Sequence, residues 1–309
     1  LLSVRSSYSL ISSGTELKIF TGIFDDDAAL DVSIKDMADE RMAYPLSYGY
    51  SLVGHIVACG DDLSKEYYQG KLIFTFSPHA SHVVTDVGAI QFVPDGIDPK
   101  DAIFMPSVET ALSLVHDAHV RLGENVAIYG QGLIGLLVTA LLSAHDRSLP
   151  SGQYGSITAF DMLPDRLAAS SLLGASQALF PGGFKGPFDV AIEVSGNARA
   201  LQSAIDCTRD GGRVIVGSWY GNSDISLRLG INFHRSHKTI VTSQVSTIPA
   251  ALSKLWSKER RFRLAWELVK KLRPSRLLTK VVTLDEAQLA YEALEGGTEI
   301  AIAFHYSMQ

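Results

Sequence analysis

The stretch Asn125-Val-Ala-Ile-Tyr-Gly-Gln-Gly-Leu-Ile-Gly135 restricts what this chain can fold into more than any other. Its apolar run Val126 to Tyr129 predicts a strand, and the apolar segment Leu136 to Leu142 predicts a helix. Between them the glycines keep the spacing Gly-x-Gly-x-x-Gly, which brings the backbone N–H groups of a helix N-terminus to where a dinucleotide pyrophosphate can rest. Gly130 permits the tight turn, Gly132 lets the backbone approach the phosphates, and Gly135 lets the helix pack closely on the strand. Leu133 and Ile134 complete the expected cradle. Three glycines alone occur by chance, so the surroundings must decide.

The surroundings support the reading. From about Thr110 strand and helix signals alternate: a helix from Ala111 to Val120, a strand Ser156 to Asp161, a helix opened by Pro164, a strand Phe188 to Val194, a helix Ala198 to Cys207, and strands Gly211 to Gly217 and Lys238 to Gln244. Such alternation implies right-handed crossovers and a parallel sheet covered on both faces. Asp161 falls 26 residues after Gly135, near the offset of an acid that accepts both ribose hydroxyls of NAD and repels a 2′-phosphate. Arg166 could serve NADP, but is expected to be a solvated residue of a helix's first turn. Two more turns, Val194-Ser-Gly196 with Ser195 and Gly217-Ser-Trp-Tyr-Gly221, close strands where ligands of open α/β sheets collect.

With 309 residues, 46% hydrophobic and 19% charged, the chain has room for two domains and a sizeable core. Its net charge of −6 offers no basic face for nucleic acid. Cys59 and Cys207 exclude a disulfide framework and a four-cysteine zinc lobe by count. No apolar run approaches the ~20 residues of a membrane span. The opening Leu1-Leu-Ser-Val-Arg reads as strand interior without an initiator methionine or signal, so the numbered chain is expected to lack its true beginning. The compartment, cytoplasm or an organelle such as a plastid, is then not legible.

Residues before Thr110 read as short strands, Leu1 to Ser9, Leu52 to Cys59, Lys71 to Phe76 and His82 to Thr85, interrupted by a polar acidic insert, Asp25 to Arg41, expected as a solvated loop. In the tail an amphipathic helix (Leu264, Leu268, Leu272) ends near Pro274. A strand Leu277 to Val282, a helix Asp285 to Leu294 with Ala287, Ala290, Tyr291 and Leu294 on one face, and a strand Ile300 to Tyr306 follow. The tail reads as packing rather than chemistry. The basic stretch Trp256 to Trp266, with Lys254, Lys258, Arg260, Arg261 and Arg263, reads as a solvated face carrying a few buried aromatics. His234 and His237 read as a cationic surface, and His55 and Cys59 as ordinary strand positions.

The order of parts resembles the medium-chain dehydrogenase/reductase superfamily, whose best-known members are zinc-dependent alcohol dehydrogenases. The resemblance covers nearly the whole chain and rests on Ile11-Ser-Ser-Gly-Thr-Glu-Leu17, Tyr48-Gly-Tyr-Ser-Leu-Val-Gly54 with Gly60, Pro106 with Thr110-Ala111, the glycine motif, Glu193-Val-Ser-Gly196 and Gly211-Gly-Arg-Val-Ile-Val-Gly217. Met105 to Leu112, Phe233-His-Arg and Thr242-Ser-Gln-Val245 resemble the branch holding bacteriochlorophyllide hydroxyethyl dehydrogenases. The resemblance implies an α/β fold, a Rossmann doubly wound parallel sheet plus a GroES-like mostly β domain. Its expected boundaries are 1–112 for the substrate domain, 113–262 for the dinucleotide domain and 263–309 for a return to the first. It also implies an oligomer, paired through the sheet edge at Lys238 to Gln244, and a small-molecule substrate held between the domains.

Where zinc-using members carry ligands, this chain has Ser13, Tyr50, Ser51 and Met105 or Pro106, so no catalytic zinc is expected. His79 and His82 lack a third ligand and read as ordinary strand or loop histidines. Thr15 fits the family's hydroxyl relay, Thr110 the slot beside the nicotinamide, and Glu16 a structural tie between loops. Tyr50 faces the substrate by the same analogy. A phenol of ordinary pKa ~10 can donate to a carbonyl, and a cation such as Lys18 would help it lose its proton. Equally, Tyr50 can be an aromatic that plugs the vacated metal site. The expectation is a zinc-independent NAD- or NADP-dependent oxidoreductase acting on an alcohol/carbonyl pair, with a large tetrapyrrole alcohol as one option. The alternatives are a C=C reductase and a non-catalytic binding or assembly subunit.

Overall fold

The computed structural model describes residues 1–24, 30, 41–146, 155–183 and 186–307; nearly all of the acidic insert lies outside them. The chain divides into two compact units, Leu1–Pro106 with Arg263–Gln309, and Ser107–Phe262. No helix among the described residues is long and apolar enough to cross a membrane.

The first unit begins with β1 (Leu2–Leu10), α1 (Glu16–Phe20), β2 (Leu52–Cys59), α2 (Lys65–Tyr68), β3 (Leu72–Thr75), β4 (His82–Thr85), β5 (Ile90–Phe92) and α3 (Pro99–Ala102). Helix α4 (Met105–Ala118) carries the chain into the second unit. It starts earlier than the expected Ala111, because Pro106 sits in its first turn, where a missing N–H costs nothing, and Met105, Val108 and Ala111 are all buried.

The second unit runs β6 (Val126–Tyr129), α5 (Leu133–Asp146), β7 (Ile157–Phe160), α6 (Pro164–Leu172), β8 (Gln177–Leu179), β9 (Phe188–Glu193), α7 (Ala198–Cys207), β10 (Thr208–Val216), α8 (Asn232–Arg235) and β11 (Thr239–Thr242). Its six strands are all parallel and ordered β11-β10-β9-β6-β7-β8. Counted from the first strand of the unit this is 6-5-4-1-2-3, the doubly wound order whose direction reverses between β6 and β9. All four residues of β6 and of β7 are buried, as covering on both faces requires. The core joins Ala127, Tyr129, Phe160, Phe188, Ala191 and Val214 to Leu201, Ala204 and Ile205 of α7.

Helix α9 (Lys258–Leu272) leads back to the first unit, followed by β12 (Lys280–Val282), α10 (Ala287–Glu295) and β13 (Ile302–His305). The expected strand from Leu277 is shorter: Arg273 adopts a left-handed conformation with φ 48°, and a 3-10 turn spans Pro274–Leu277 before β12 begins. The sheet of this unit runs β12-β13-β1-β2-β3-β5, with β4 also on β1. Along β1 buried Leu2 and Val4 alternate with less buried neighbours, and the register against β2 shifts at Ser3/Val4 and Ser6/Tyr8. Gly54 fits this irregular pairing, since a Cβ there would lie 2.3 Å from the Arg5 carbonyl oxygen. Ala290 and Leu294 are buried, with Ala287 and Tyr291 packed beside them, as the helical spacing predicts.

Candidate functional site

The glycine motif occupies the turn from β6 into α5, and each glycine meets a physical demand. Gly130 has φ 95°, and a Cβ there would come within 2.7 Å of Ser195 Cα. A Cβ on Gly135 would lie 1.8 Å from the Gly130 carbonyl oxygen, so the first turn of α5 rests directly on the loop. Gly132 faces open space, and the nearest atom to a Cβ there is Arg166 Nη1 at 3.8 Å. Leu133 and Ile134 open a helix whose first-turn N–H groups have no intrahelical acceptor. A side chain at Gly130 or Gly135 would collide with the backbone that shapes this turn, the space over Gly132 stays open, and the residues present fit a dinucleotide.

Asp161 follows β7 and is almost fully buried. Its Oδ2 accepts the Gln131 N–H at 2.6 Å and its Oδ1 accepts the Leu163 N–H at 3.0 Å. Arg166 departs from expectation. It is half-buried and turned back toward the glycine loop rather than outward to solvent, because α6 starts immediately beside that loop.

Sequence reasoning quoted Glu193 only as a motif position and assigned it no role, yet it shapes the next strand end. Glu193, fully buried at the end of β9, accepts from Ser195 N at 2.7 Å, Ser195 Oγ at 2.7 Å and Gly196 N at 3.1 Å, and from the Tyr220 hydroxyl at 2.8 Å. Burial, and then the Glu193 charge, push the Tyr220 phenol well above its ordinary pKa, so it stays a donor. Gly217 follows β10, and a Cβ there would meet Leu114 Cδ2 at 2.6 Å and Val194 Cγ1 at 3.0 Å. The turns at Gly130, Ser195 and Gly217 thus lie at the carboxyl ends of β6, β9 and β10, the ligand edge of such a sheet.

Thr110 is half-buried on α4, beside a polar stripe spaced one helical turn apart. Glu109, Ser113 and Asp117 are all buried. That i, i+4, i+8 spacing in an apolar helix was the signal available in the sequence. Arg261 overturns the reading of Trp256 to Trp266 as a solvated face. It is 1% exposed, donating from Nε to Glu109 Oε1 at 2.8 Å and from Nη1 to the Thr247 carbonyl at 3.2 Å. Arg260 does stay outside, over the Trp256 ring at 4.2 Å. Burial outweighs the Arg261 charge and holds the Glu109 carboxyl above the usual range. Burial likewise pushes His116 down to about 4.

In the first unit the loop before α1 carries Ser12, Ser13 and Thr15. The Tyr50 hydroxyl donates to Ser12 Oγ at 2.5 Å, a partner the sequence reading passed over. Ser13 is half-buried in the turn, Thr15 caps α1 without a side-chain cap bond, and Lys18 is half-buried on α1. Glu16, 2% exposed, ties loops together as expected. It accepts from Ser12 N at 2.8 Å, pairs with His79 Nε2 at 2.9 Å, and accepts from the Tyr291 hydroxyl at 2.5 Å.

His79 and His82 do not share a strand face: His79 precedes β4 with its side chain 7% exposed, whereas His82 points to solvent. His79 Nδ1 lies 2.7 Å from Ser9 Oγ, and Gly49, at φ 126°, leaves the room its ring needs. The tail also supplies more than apolar packing, because Tyr291 reaches Glu16 and the Tyr306 hydroxyl lies 2.8 Å from Ser9 Oγ. Burial pushes the Tyr306 phenol up to about 12 and the Tyr291 phenol higher still.

Ser51 is buried and donates to the Ile103 carbonyl. With Ser13, Tyr50 and buried Met105, the positions set aside for zinc offer no thiolate, imidazole or carboxylate, a donor set that does not fit the ion. Among the described residues no three His, Cys, Asp or Glu side chains converge to hold a metal.

No protein-family model matches the chain. It is 28% identical over 259 residues to D-guloside 3-dehydrogenase of Escherichia coli K12, covering 79% of this chain and 72% of that protein. It superposes on 2R,3R-butanediol dehydrogenase from Bacillus subtilis with a TM-score of 0.75 and 18% identity, over 98% of this chain and 92% of that one. The alcohol dehydrogenase rspB of Escherichia coli CFT073, solved with NADH, gives a TM-score of 0.75 at 13% identity, over 98% and 91%. The chain has the fold of these dehydrogenases. Its parallel-sheet unit is the Rossmann half and its mixed-sheet unit the GroES-like half of that architecture.

Proposed function

We propose that this chain is a zinc-independent, NAD(H)-dependent oxidoreductase that moves hydride between the nicotinamide and a secondary alcohol/carbonyl pair. The observation that carries the reading is the fit of the glycine turn to Asp161: a helix start packed at Gly135 with no room for a side chain, and a carboxylate bonded to the same loop. In this reading Gly130, Gly132, Leu133, Ile134 and Gly135 hold the pyrophosphate, Asp161 the ribose, and Ser195, Gly217 and Thr110 the remainder of the dinucleotide. When bound, the nicotinamide supplies the hydride acceptor or donor.

The proton that leaves an alcohol as it becomes a carbonyl passes to Tyr50 Oη while the phenol hands its own proton along its bond to Ser12 Oγ, and the Ser12 hydroxyl proton leaves in turn toward solvent. Thr15, whose hydroxyl is not spent on capping α1, extends the path, Ser13 lies beside it in the same loop, and Lys18 favours the phenolate. The relatives named for a guloside and a butanediol support a polyol-like substrate.

Fluorescence titration with NADH and NADPH, followed by elemental analysis, tests the proposal. Tighter binding of NADH without stoichiometric zinc is expected. Failure to bind either nucleotide overturns the enzyme reading, and one zinc per chain overturns the metal-free mechanism. One observation favours a nucleotide-binding subunit without turnover instead. Tyr50 packs its ring against the cluster of Ile19, Phe24 and Met42 and lies 6.2 Å from Tyr48, as a structural aromatic would.

A further inference from the structure

The topology orients a dinucleotide on this sheet. Asp161 marks the β7 side of the glycine loop, so a ribose there leaves the second nucleoside to extend past β6 toward the ends of β9, β10 and β11. At that end, residues 243–247 leave β11 as a segment without regular structure. Ser243 N donates to the Val216 carbonyl at 2.9 Å and the Ser243 side chain bonds Asp117 on α4, which anchors only the start of the segment.

Further along, Gln244 Oε1 accepts the Ser246 N–H at 2.6 Å, and Arg261 ties the segment back to α4. Arg261 donates from Nη2 to the Val245 carbonyl and from Nη1 to the Thr247 carbonyl at 3.2 Å. Its other contacts reach α4: Nη1 donates to Ser113 Oγ at 3.4 Å and Nε to Glu109 Oε1 at 2.8 Å, and Nη2 forms an ion pair with the same oxygen at 2.8 Å. All three guanidinium nitrogens therefore donate to α4 or to this turn. A buried ion pair is a poor source of net stability compared with apolar side chains of equal volume. What this one does supply is geometry, because pinning two carbonyls of one turn fixes the peptide planes between them. Glu109 is next to Thr110, and Leu114 on the same helix abuts Gly217.

We propose that Arg261, braced by Glu109, is a positioning residue for the nicotinamide half of the dinucleotide site: it fastens the Val245–Thr247 turn to the helix that presents Thr110. The adenosine half, built on Gly130 to Gly135 and Asp161, does not depend on it. This inference rests on the dinucleotide reading, and ADP-ribose, which lacks only the nicotinamide, separates the two.

Calorimetric titration of native protein and of the double variant Glu109→Leu/Arg261→Met, which removes both charges together, provides the test. Binding of ADP-ribose should stay within about twofold of native, while NADH should bind about tenfold or more weakly. Arg261→Lys keeps the charge beside Glu109 but loses the fork. It should weaken NADH by a smaller factor with ADP-ribose unchanged, and it serves if the double variant does not fold. Equal losses for both ligands, or no loss for NADH, would overturn the positioning role. Native protein that fails to bind ADP-ribose would instead remove the dinucleotide reading beneath it.

Discussion

Asp161 at the end of β7 and Gln131 in the middle of the glycine turn are joined by a 2.6 Å hydrogen bond from backbone to carboxylate. The acid expected to read the ribose thereby also sets the shape of the pyrophosphate loop. Asp161→Asn keeps one carbonyl acceptor for these N–H groups but removes the charge. It should weaken NADH binding by about 1–2 kcal/mol, roughly five- to thirtyfold, and narrow the gap to NADPH. Fluorescence titration of both nucleotides reads this, and an unchanged NADH/NADPH ratio would remove Asp161 from ribose recognition.

Gly135 tolerates no side chain. Its Cβ would stand 1.8 Å from backbone that cannot swing aside, so Gly135→Ala should cost about 3 kcal/mol or more and abolish nucleotide binding. Gly88 has nothing within 4 Å of a Cβ, and Gly88→Ala should fall between neutral and about 1 kcal/mol more stable. Thermal unfolding of the two variants makes the comparison. A mild effect at Gly135 would refute the close packing of α5 on its loop.

Glu16 satisfies three donors at once. Glu16→Ala leaves the Ser12 N–H, His79 Nε2 and the Tyr291 hydroxyl without their buried acceptor, a loss of about 3–5 kcal/mol. Glu16→Gln retains one acceptor oxygen and should cost about 1–2 kcal/mol. Urea unfolding distinguishes them, and equal costs would mean that the network contributes nothing beyond the volume it fills.

Tyr50→Phe removes one hydroxyl and its bond to Ser12 while keeping the ring in its cluster. If Tyr50 carries the proton, kcat should fall by about 10²–10⁴-fold with NADH affinity unchanged. Thr15→Ala should have a smaller effect in the same direction. Unchanged kcat in both variants would reject the proton path and leave Tyr50 as packing.

The His116 imidazole is held down at about 4 by burial first and then by the charges of Arg261, His119 and Arg260. The unfolded chain takes up this proton near pH ~6.5. Between those values the unfolded state binds more protons, so stability falls as the pH falls. The buried carboxyls of Glu109 and Asp117, raised by desolvation, act in the opposite sense. Comparison with His116→Gln cancels their part. From about pH 7 to about pH 5 the native protein should lose about 1–2 kcal/mol more than the variant, allowing for partial exposure. Equal losses in urea unfolding at the two pH values would show that the folded protein protonates His116 normally.

The sequence by itself determined the parts whose signals are local. Chain geometry ties three glycines between a strand and a helix to one kind of turn, and alternation of strand and helix dictates a parallel sheet, so the doubly wound unit was legible. Strand Leu52–Cys59 and helix Ala198–Cys207 were legible to their ends, because apolar period and terminal turn residues agree there. Tertiary structure alone decided which charges are buried. Arg261 meets Glu109 across 152 residues of chain, and Tyr291 meets Glu16 across 275. In the sequence Arg261 is one cation of a basic run and His79 one of two histidines. Periodicity shows which face a residue occupies. Whether a charge on that face is solvated or buried depends on the partner a distant element sets opposite it, because burial is tolerable only when that partner supplies the lost hydrogen bonds.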